Sequence, residues 1–159
     1  MENNLEWNFK EIYKNEKEFE DDIELLEKQT EEIIKLKGTL SNSSNTILDC
    51  YKKLEKALIL EEKIYAYAML KYHKDMSDVK SIKLFKRVEK VVTDFSEKIS
   101  FISPEISKID DETLRKYLEE NEELRNEFKK SIEDIIKEKK HILTEEVERV
   151  LAKYSEVFG

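Results

Sequence analysis

The stretch ILDCYKKLEKALILEEKIYAYAMLKY, Ile47–Tyr72, decides the fold. Its apolar positions Leu48, Tyr51, Leu54, Leu58, Tyr65, Ala68 and Tyr72 keep helical spacing, and no Gly or Pro interrupts them. The spacing predicts one helix of about 25 to 28 residues. Downstream, His73 to Asp78 reads as a turn, with Ser77 or Asp78 as the cap of a further helix. That helix carries Val79, Ile82, Phe85, Val88, Val92, Phe95 and Ile99 at the same spacing. Upstream, the polar string Ser41, Asn42, Ser43, Ser44, Asn45 competes for nearby backbone groups, so it reads as a loop with a built-in cap.

Further upstream, Phe19, Ile23, Leu26, Thr30, Ile33 and Ile34 define another amphipathic helix. Asn15 with Glu18 three residues on has the spacing of a capping box and sets its start near Glu16. Gly38 permits the backbone to turn past its end, near Lys37. Ahead of it, Trp7, Phe9, Ile12 and Tyr13 form an aromatic arm over residues 1–14 that is expected to pack on the bundle. Toward the C-terminus, Ser103-Pro104-Glu105 reads as a short helix start capped by Ser103. Asp110 or Asp111 caps the run Leu114, Tyr117, Leu118, and Asn121 caps the run Leu124, Phe128, Ile132, Ile135, Ile136. Lys137, Lys139 and Lys140 are expected at the negative end of that helix, and Thr144 to start a last one.

Composition agrees with this helical reading. The chain has 159 residues and 19.0 kDa, room for one compact domain over 1–159, and only two Gly and one Pro, which disfavours turn-rich β-architectures. The expected fold is all-α, a bundle of about five or six antiparallel helices with two or three long ones. A net charge of -8 gives no basic face for phosphate, so no nucleic-acid partner is expected. Neither a membrane span nor a signal peptide is legible. Cys50 is the one cysteine, which rules out an internal disulfide and fits a cytoplasmic setting.

The search for chemistry returns no catalytic residue and no metal ligand. A zinc-peptidase helix needs two His four apart with a Glu beside the first, whereas His73 and His141 are the only two His and lie far apart. Glu138 and His141 make one Glu-x-x-His, but Leu70 stands where the partner of His73 would be, so a di-iron pair is incomplete. Both His read as local structural residues and Cys50 as a buried thiol. With 37 acidic residues, adjacent carboxylates are a matter of composition. Tyr65 and Tyr72 share a helix face while Tyr67 points elsewhere, so one ring is expected to line a surface.

The order of motifs resembles the N-terminal helical lobe of oligoendopeptidase F, a zinc metallopeptidase of the thimet-oligopeptidase clan. Trp7-Asn8-Phe9-Lys10-Glu11-Ile12-Tyr13 is similar to that family's Trp-Asp-Leu-x-x-Leu-Tyr start, and Gly38-Thr39-Leu40 follows. Ile64-Tyr65-Ala66-Tyr67-Ala68-Met69-Leu70 resembles its Leu-Tyr-x-Tyr-Ala-x-Leu stretch. Ser100-Phe101-Ile102-Ser103-Pro104-Glu105-Ile106 resembles its Phe-x-x-Pro-Glu-Ile motif, and Lys140-His141-Ile142-Leu143-Thr144 with Glu148 resembles the run that closes the lobe.

The resemblance implies a parent enzyme whose C-terminal catalytic domain carries a His-Glu-x-x-His helix, a further Glu ligand and zinc, none of which is in this chain. This chain would then be a piece of a longer polypeptide, a lobe that gates access of short oligopeptides and is inactive alone. Its partners would be that catalytic domain and the oligopeptide substrate. Tyr65, Tyr67, Phe101 and Pro104 are the candidates for an interdomain or peptide-facing surface. The other expectation is a stand-alone helical adaptor or self-associating bundle that binds a protein partner.

Overall fold

The computed structural model describes residues 9–158, and the side chains of all of these except Lys10, 142–146 and 148–158. The chain is an all-α helical bundle. A single 3₁₀ turn at Phe9–Glu11 leads into helices α1 (Glu16–Ile34), α2 (Ser44–Lys74), α3 (Val79–Ile99), α4 (Ile102–Ser107), α5 (Asp111–Glu120) and α6 (Glu122–Phe158). Of these α2, at 31 residues, and α6, at 37, are the longest, and α3 adds 21. The chain divides into two compact units. One takes in the described residues up to Leu36 with Lys52–Ser100, the other Lys37–Tyr51 with the described residues from Phe101 onward.

The first unit is built from α1, most of α2, and α3. Phe19, Ile23, Leu26 and Ile33 make the buried stripe of α1, Ala57, Ile64, Tyr67 and Ala68 that of α2, and Val88 and Phe95 that of α3. Burial of such stripes contributes about 25 cal/mol per Å² of apolar surface removed from water and is what holds the helices together. Asn15 caps α1, its side chain accepting from the Glu18 amide at 3.0 Å, while the Glu18 carboxylate accepts from the Lys14 amide at 3.0 Å. The box therefore closes one residue earlier than the spacing implies. The arm is packed where it is described, with Tyr13 only 3% exposed, while Trp7 lies outside the described residues. Asp78 caps α3 through the Lys80 and Ser81 amides at 3.2 and 3.0 Å. Arg87 of α3 grips Glu20 of α1 through both guanidinium nitrogens, each at 2.6 Å.

In the second unit, Ile47, Leu48, Cys50 and Tyr51 from the first turns of α2 are buried, as are Ile106, Leu114, Leu118, Leu124 and Ile132 from α4 to α6. The Tyr51 ring stacks on Phe128 at 5.0 Å, and its burial pushes the hydroxyl up to about 12. Asp110 caps α5 through the Thr113 amide at 2.8 Å, and Asn121 caps α6 through the Leu124 amide at 3.0 Å.

Five expectations of the sequence change. Helix α1 stops at Ile34 and its exit tightens into turns before Gly38, with the Leu36 amide on the Ile33 carbonyl at 3.0 Å. Helix α2 starts at Ser44, inside the polar string, because Ser43 supplies its cap by accepting from the Thr46 amide at 3.2 Å. His73 falls within the last turn of α2, since Lys74 ends the helix. Ser103 caps nothing: α4 begins at Ile102 with Phe101 ahead of it and no side-chain cap, and Pro104 occupies the first turn, where a missing amide costs no helical bond. Finally, α6 continues through Lys137–Lys140 and Thr144 to Phe158, because nothing in that run breaks a helix and the Lys139 charge is used laterally. Its Nζ donates to the Ile109 carbonyl at 2.6 Å and the Asp111 carboxylate at 2.8 Å.

Candidate functional site

Within the first unit, the 3₁₀ turn, the start of α1, the end of α2 and the start of α3 surround an open groove of about 900 Å³. Its floor is aromatic. The Tyr67 ring lies 4.9 Å from Tyr13, 5.2 Å from Phe19 and 6.3 Å from Phe9, mostly edge to face, the arrangement favoured by ring quadrupoles. Its rim is basic. Lys71 places Nζ 4.6 Å from the Tyr67 ring centre, and Lys74 lies 5.4 Å from that of Phe9. Lys14 and Lys80 complete the rim. Behind the floor, burial and then the adjacent Asp22 carboxylate push the Tyr13 hydroxyl well above the usual tyrosine range, so Tyr13 stays neutral. Asp22 is itself paired with Lys63 at 2.7 Å.

Three carboxylates, Glu16, Asp75 and Asp78, share this rim, and the two Asp are turned to nearby amides and hydroxyls. Asp78 is spent on its capping bonds and on the Ser81 hydroxyl at 2.6 Å, and Asp75 accepts from the Ser77 amide at 2.9 Å and hydroxyl at 2.6 Å. These hydrogen bonds hold both carboxyls below the usual carboxylate range, so they are charged at neutral pH but already partnered.

In the second unit a smaller depression of about 440 Å³ is bordered by Phe101, Pro104, Lys37 and Lys108. Glu105 decides its shape. Its carboxylate accepts from the Gly38 amide at 2.8 Å and the Leu40 amide at 2.9 Å, which pins the loop between α1 and α2. Gly38 adopts φ +82, a left-handed conformation that glycine takes at little cost. The Tyr117 hydroxyl donates to the Ser41 carbonyl at 2.9 Å and tethers the same loop further along.

The four residues singled out in the sequence fall as two pairs in different units. Tyr67 is 6% exposed and borders the groove, whereas Tyr65 is half-buried beside Phe85 at 5.8 Å and does not. Phe101, half-buried with Lys37 Nζ 5.8 Å from its ring centre, and exposed Pro104 border the same depression. The lysine rim escaped the sequence reading. Its one signal there was Lys71 and Lys74 three apart beside an aromatic run, which is unremarkable in a lysine-rich chain.

Among the described residues no group of three or more His, Cys, Asp or Glu side chains could hold a metal ion, and no helix is long and apolar enough to cross a membrane. His141 is exposed and Cys50 buried. The donor set that zinc requires is thus not assembled from the described residues.

Comparison with known proteins gives a consistent answer. A family model described as Oligopeptidase F matches residues 105–159. Oligoendopeptidase F (plasmid) of Lactococcus lactis subsp. cremoris is 28% identical over 155 residues, 97% of this chain and 26% of the relative. The oligoendopeptidase F homolog of Borreliella burgdorferi is 29% identical over 157 residues, 98% of this chain and 26% of the relative. The crystal structure of oligoendopeptidase-F from Enterococcus faecium superposes with a TM-score of 0.70 at 27% identity, covering 91% of this chain and 28% of that one. The chain therefore matches oligoendopeptidase F over an N-terminal region and spans about a quarter of the length of the curated relatives it matches.

Proposed function

We propose that this chain is the N-terminal, non-catalytic helical lobe of a zinc-dependent oligoendopeptidase, and that it gates the access of short peptides to a metal held by a separate catalytic domain. One observation carries the reading: the match runs through 97% of this chain but only 26% of the relative, while no metal-donor cluster forms among the described residues. On this reading 1–159 acts as a single lobe in a reducing, cytoplasmic setting, where a lone buried thiol such as Cys50 is at home. Its partners are the catalytic domain and the peptide, and Tyr65, Tyr67, Phe101 and Pro104 lie on the surfaces that face them.

The test is to capture the native product with an antibody raised against this chain, size it, and assay cleavage of a quenched fluorescent heptapeptide with and without a zinc chelator. The expected product is well above 19.0 kDa and loses its activity with chelator, whereas the 159-residue chain supplied with zinc cleaves nothing. A native product of about 19.0 kDa that is inert would overturn the proposal and leave a helical adaptor.

A further inference from the structure

The groove of the first unit has an occupant within reach on its own chain. Its floor of Phe9, Tyr13, Phe19 and Tyr67 offers ring surface to an apolar side chain. Its rim mixes lysines with the carboxylates of Glu16, Asp75 and Asp78, so charge singles out neither an acidic nor a basic ligand. Continuity of the chain does single one out. Phe9 belongs to the floor, its ring 6.3 Å from that of Tyr67, and its carbonyl accepts from the Ile12 and Tyr13 amides at 3.1 and 3.0 Å, which fixes where the preceding chain enters. Positions 1–8, ahead of Phe9, lie outside the described residues. Their sequence alternates, with Leu5 and Trp7 in step with Phe9 and Asn4, Glu6 and Asn8 between them. In an extended segment residues two apart project to one side, so this pattern gives Leu5, Trp7 and Phe9 a common apolar side. The Trp7 Cα can lie no more than about 7 Å from that of Phe9.

We propose that the groove is a socket for positions 1–8 of this same chain, with the Trp7 indole on the aromatic floor beside Phe9 and Leu5 following it. A segment joined to the edge of the groove meets it at an effective concentration on the order of millimolar, and it escapes the cost of capturing a separate molecule. A peptide or domain that reaches Tyr67 from this side therefore competes with the arm. The inference stands on the groove and the alternation and does not rest on the peptidase reading.

Trp7 is the one tryptophan of the chain, so fluorescence of the 159-residue chain excited beyond the tyrosine band reports it alone. Its emission is expected to be blue-shifted from that of the urea-unfolded chain, and acrylamide to quench it roughly threefold or more weakly in the folded chain, at any protein concentration. A nitroxide label then locates the indole. Cys50 is buried and inert, so Lys80→Cys on the rim and Lys90→Cys, about 15 Å further along α3, each take the label at an exposed position. The label at position 80 should quench Trp7 at least about twofold more strongly than the label at position 90, because contact quenching is short-ranged and the two sites differ by that rise along the helix. Unchanged circular dichroism verifies that each labelled variant is folded. Emission and quenching like those of the unfolded chain would overturn the proposal and leave the groove to a separate ligand. Protection that grows with protein concentration would overturn it in favour of a second copy, and equal quenching by the two labels would overturn it by placing Trp7 away from the groove. None of these results bears on whether the native product is a chelator-sensitive peptidase, so the two readings fail separately.

Discussion

Replacing Glu105 by Ala removes the acceptor that two loop amides share. The bonds to Gly38 and Leu40 are short, at 2.8 and 2.9 Å, and the acceptor is a carboxylate. Hydrogen bonds to charged groups contribute about 1.5–3 kcal/mol each when buried. The Gly38 end is exposed and belongs at or below the bottom of that range, while the Leu40 end is partly buried and its side chain is fully buried. The expected loss is about 2–3 kcal/mol, equivalent to a Tm decrease of roughly 5–10 °C for a chain of this size. Glu105→Gln keeps one acceptor oxygen but turns an amide N–H toward a backbone N–H, so it should recover no more than half of that loss. Urea unfolding followed by circular dichroism reads the energies. Hydrogen exchange at the Gly38 and Leu40 amides reads the location, with faster exchange there and no change at mid-α1. A Glu105→Ala chain within about 0.5 kcal/mol of the parent, with both amides still protected, would refute the reasoning and shift the work of holding the loop to the Tyr117 tether.

Two further outcomes follow from the same structure. Gly38→Ala should cost about 1 kcal/mol by differential scanning calorimetry from the left-handed backbone alone, because a Cβ there meets no heavy atom within 4 Å; a neutral result would mean that the loop changes course to absorb it. The Arg87 hydrogen bonds hold Glu20 below its ordinary value of 4.5, so the pair stabilises the fold above that pH and loses its effect as pH falls through the folded pKa; unfolding free energies of parent and Arg87→Gln in urea should differ by at most about 1 kcal/mol at pH 7, since both side chains are well exposed, and converge once the pH lies below the folded pKa.

The starts of α1, α3, α5 and α6 were legible because capping is local chemistry. Asn15, Asp78, Asp110 and Asn121 each sit where a side-chain oxygen reaches an amide two or three residues on, and the start of α3 follows from that. The positive φ of Gly38 was legible for the same reason. The continuity of α6 was not, because lysines and Thr144 are as compatible with a helix interior as with an end, and only the third dimension shows Lys139 reaching Ile109 and Asp111. The groove was not legible either. Phe9, Tyr67 and Lys80 are far apart in sequence and meet only once α1, α2 and α3 pack. The family likeness was carried by motif order, which survives at under 30% identity because the motifs mark starts, turns and packing positions.

The segment Phe101–Ile106 shows why a motif that looks like a contact surface can serve two purposes at once. A six-residue helix has little stability of its own and must be fixed from outside. Ile102 and Ile106, on one face, are buried in the core of the second unit, and Glu105, to one side of that face, turns its carboxylate to the Gly38 and Leu40 amides. The helix and the loop thereby fix each other. What remains available is Pro104, exposed, and Phe101, half-buried with Lys37 over its ring. Substitution at 105 therefore acts through the fold and should move stability, whereas substitution at 101 or 104 can alter contact with a domain or peptide while Glu105 keeps the loop in place. Residues four or fewer apart in and beside one short helix are in this way separable by experiment, and a loss of function at Phe101 or Pro104 without a loss of stability is the signature that would distinguish a contact surface from a packing motif.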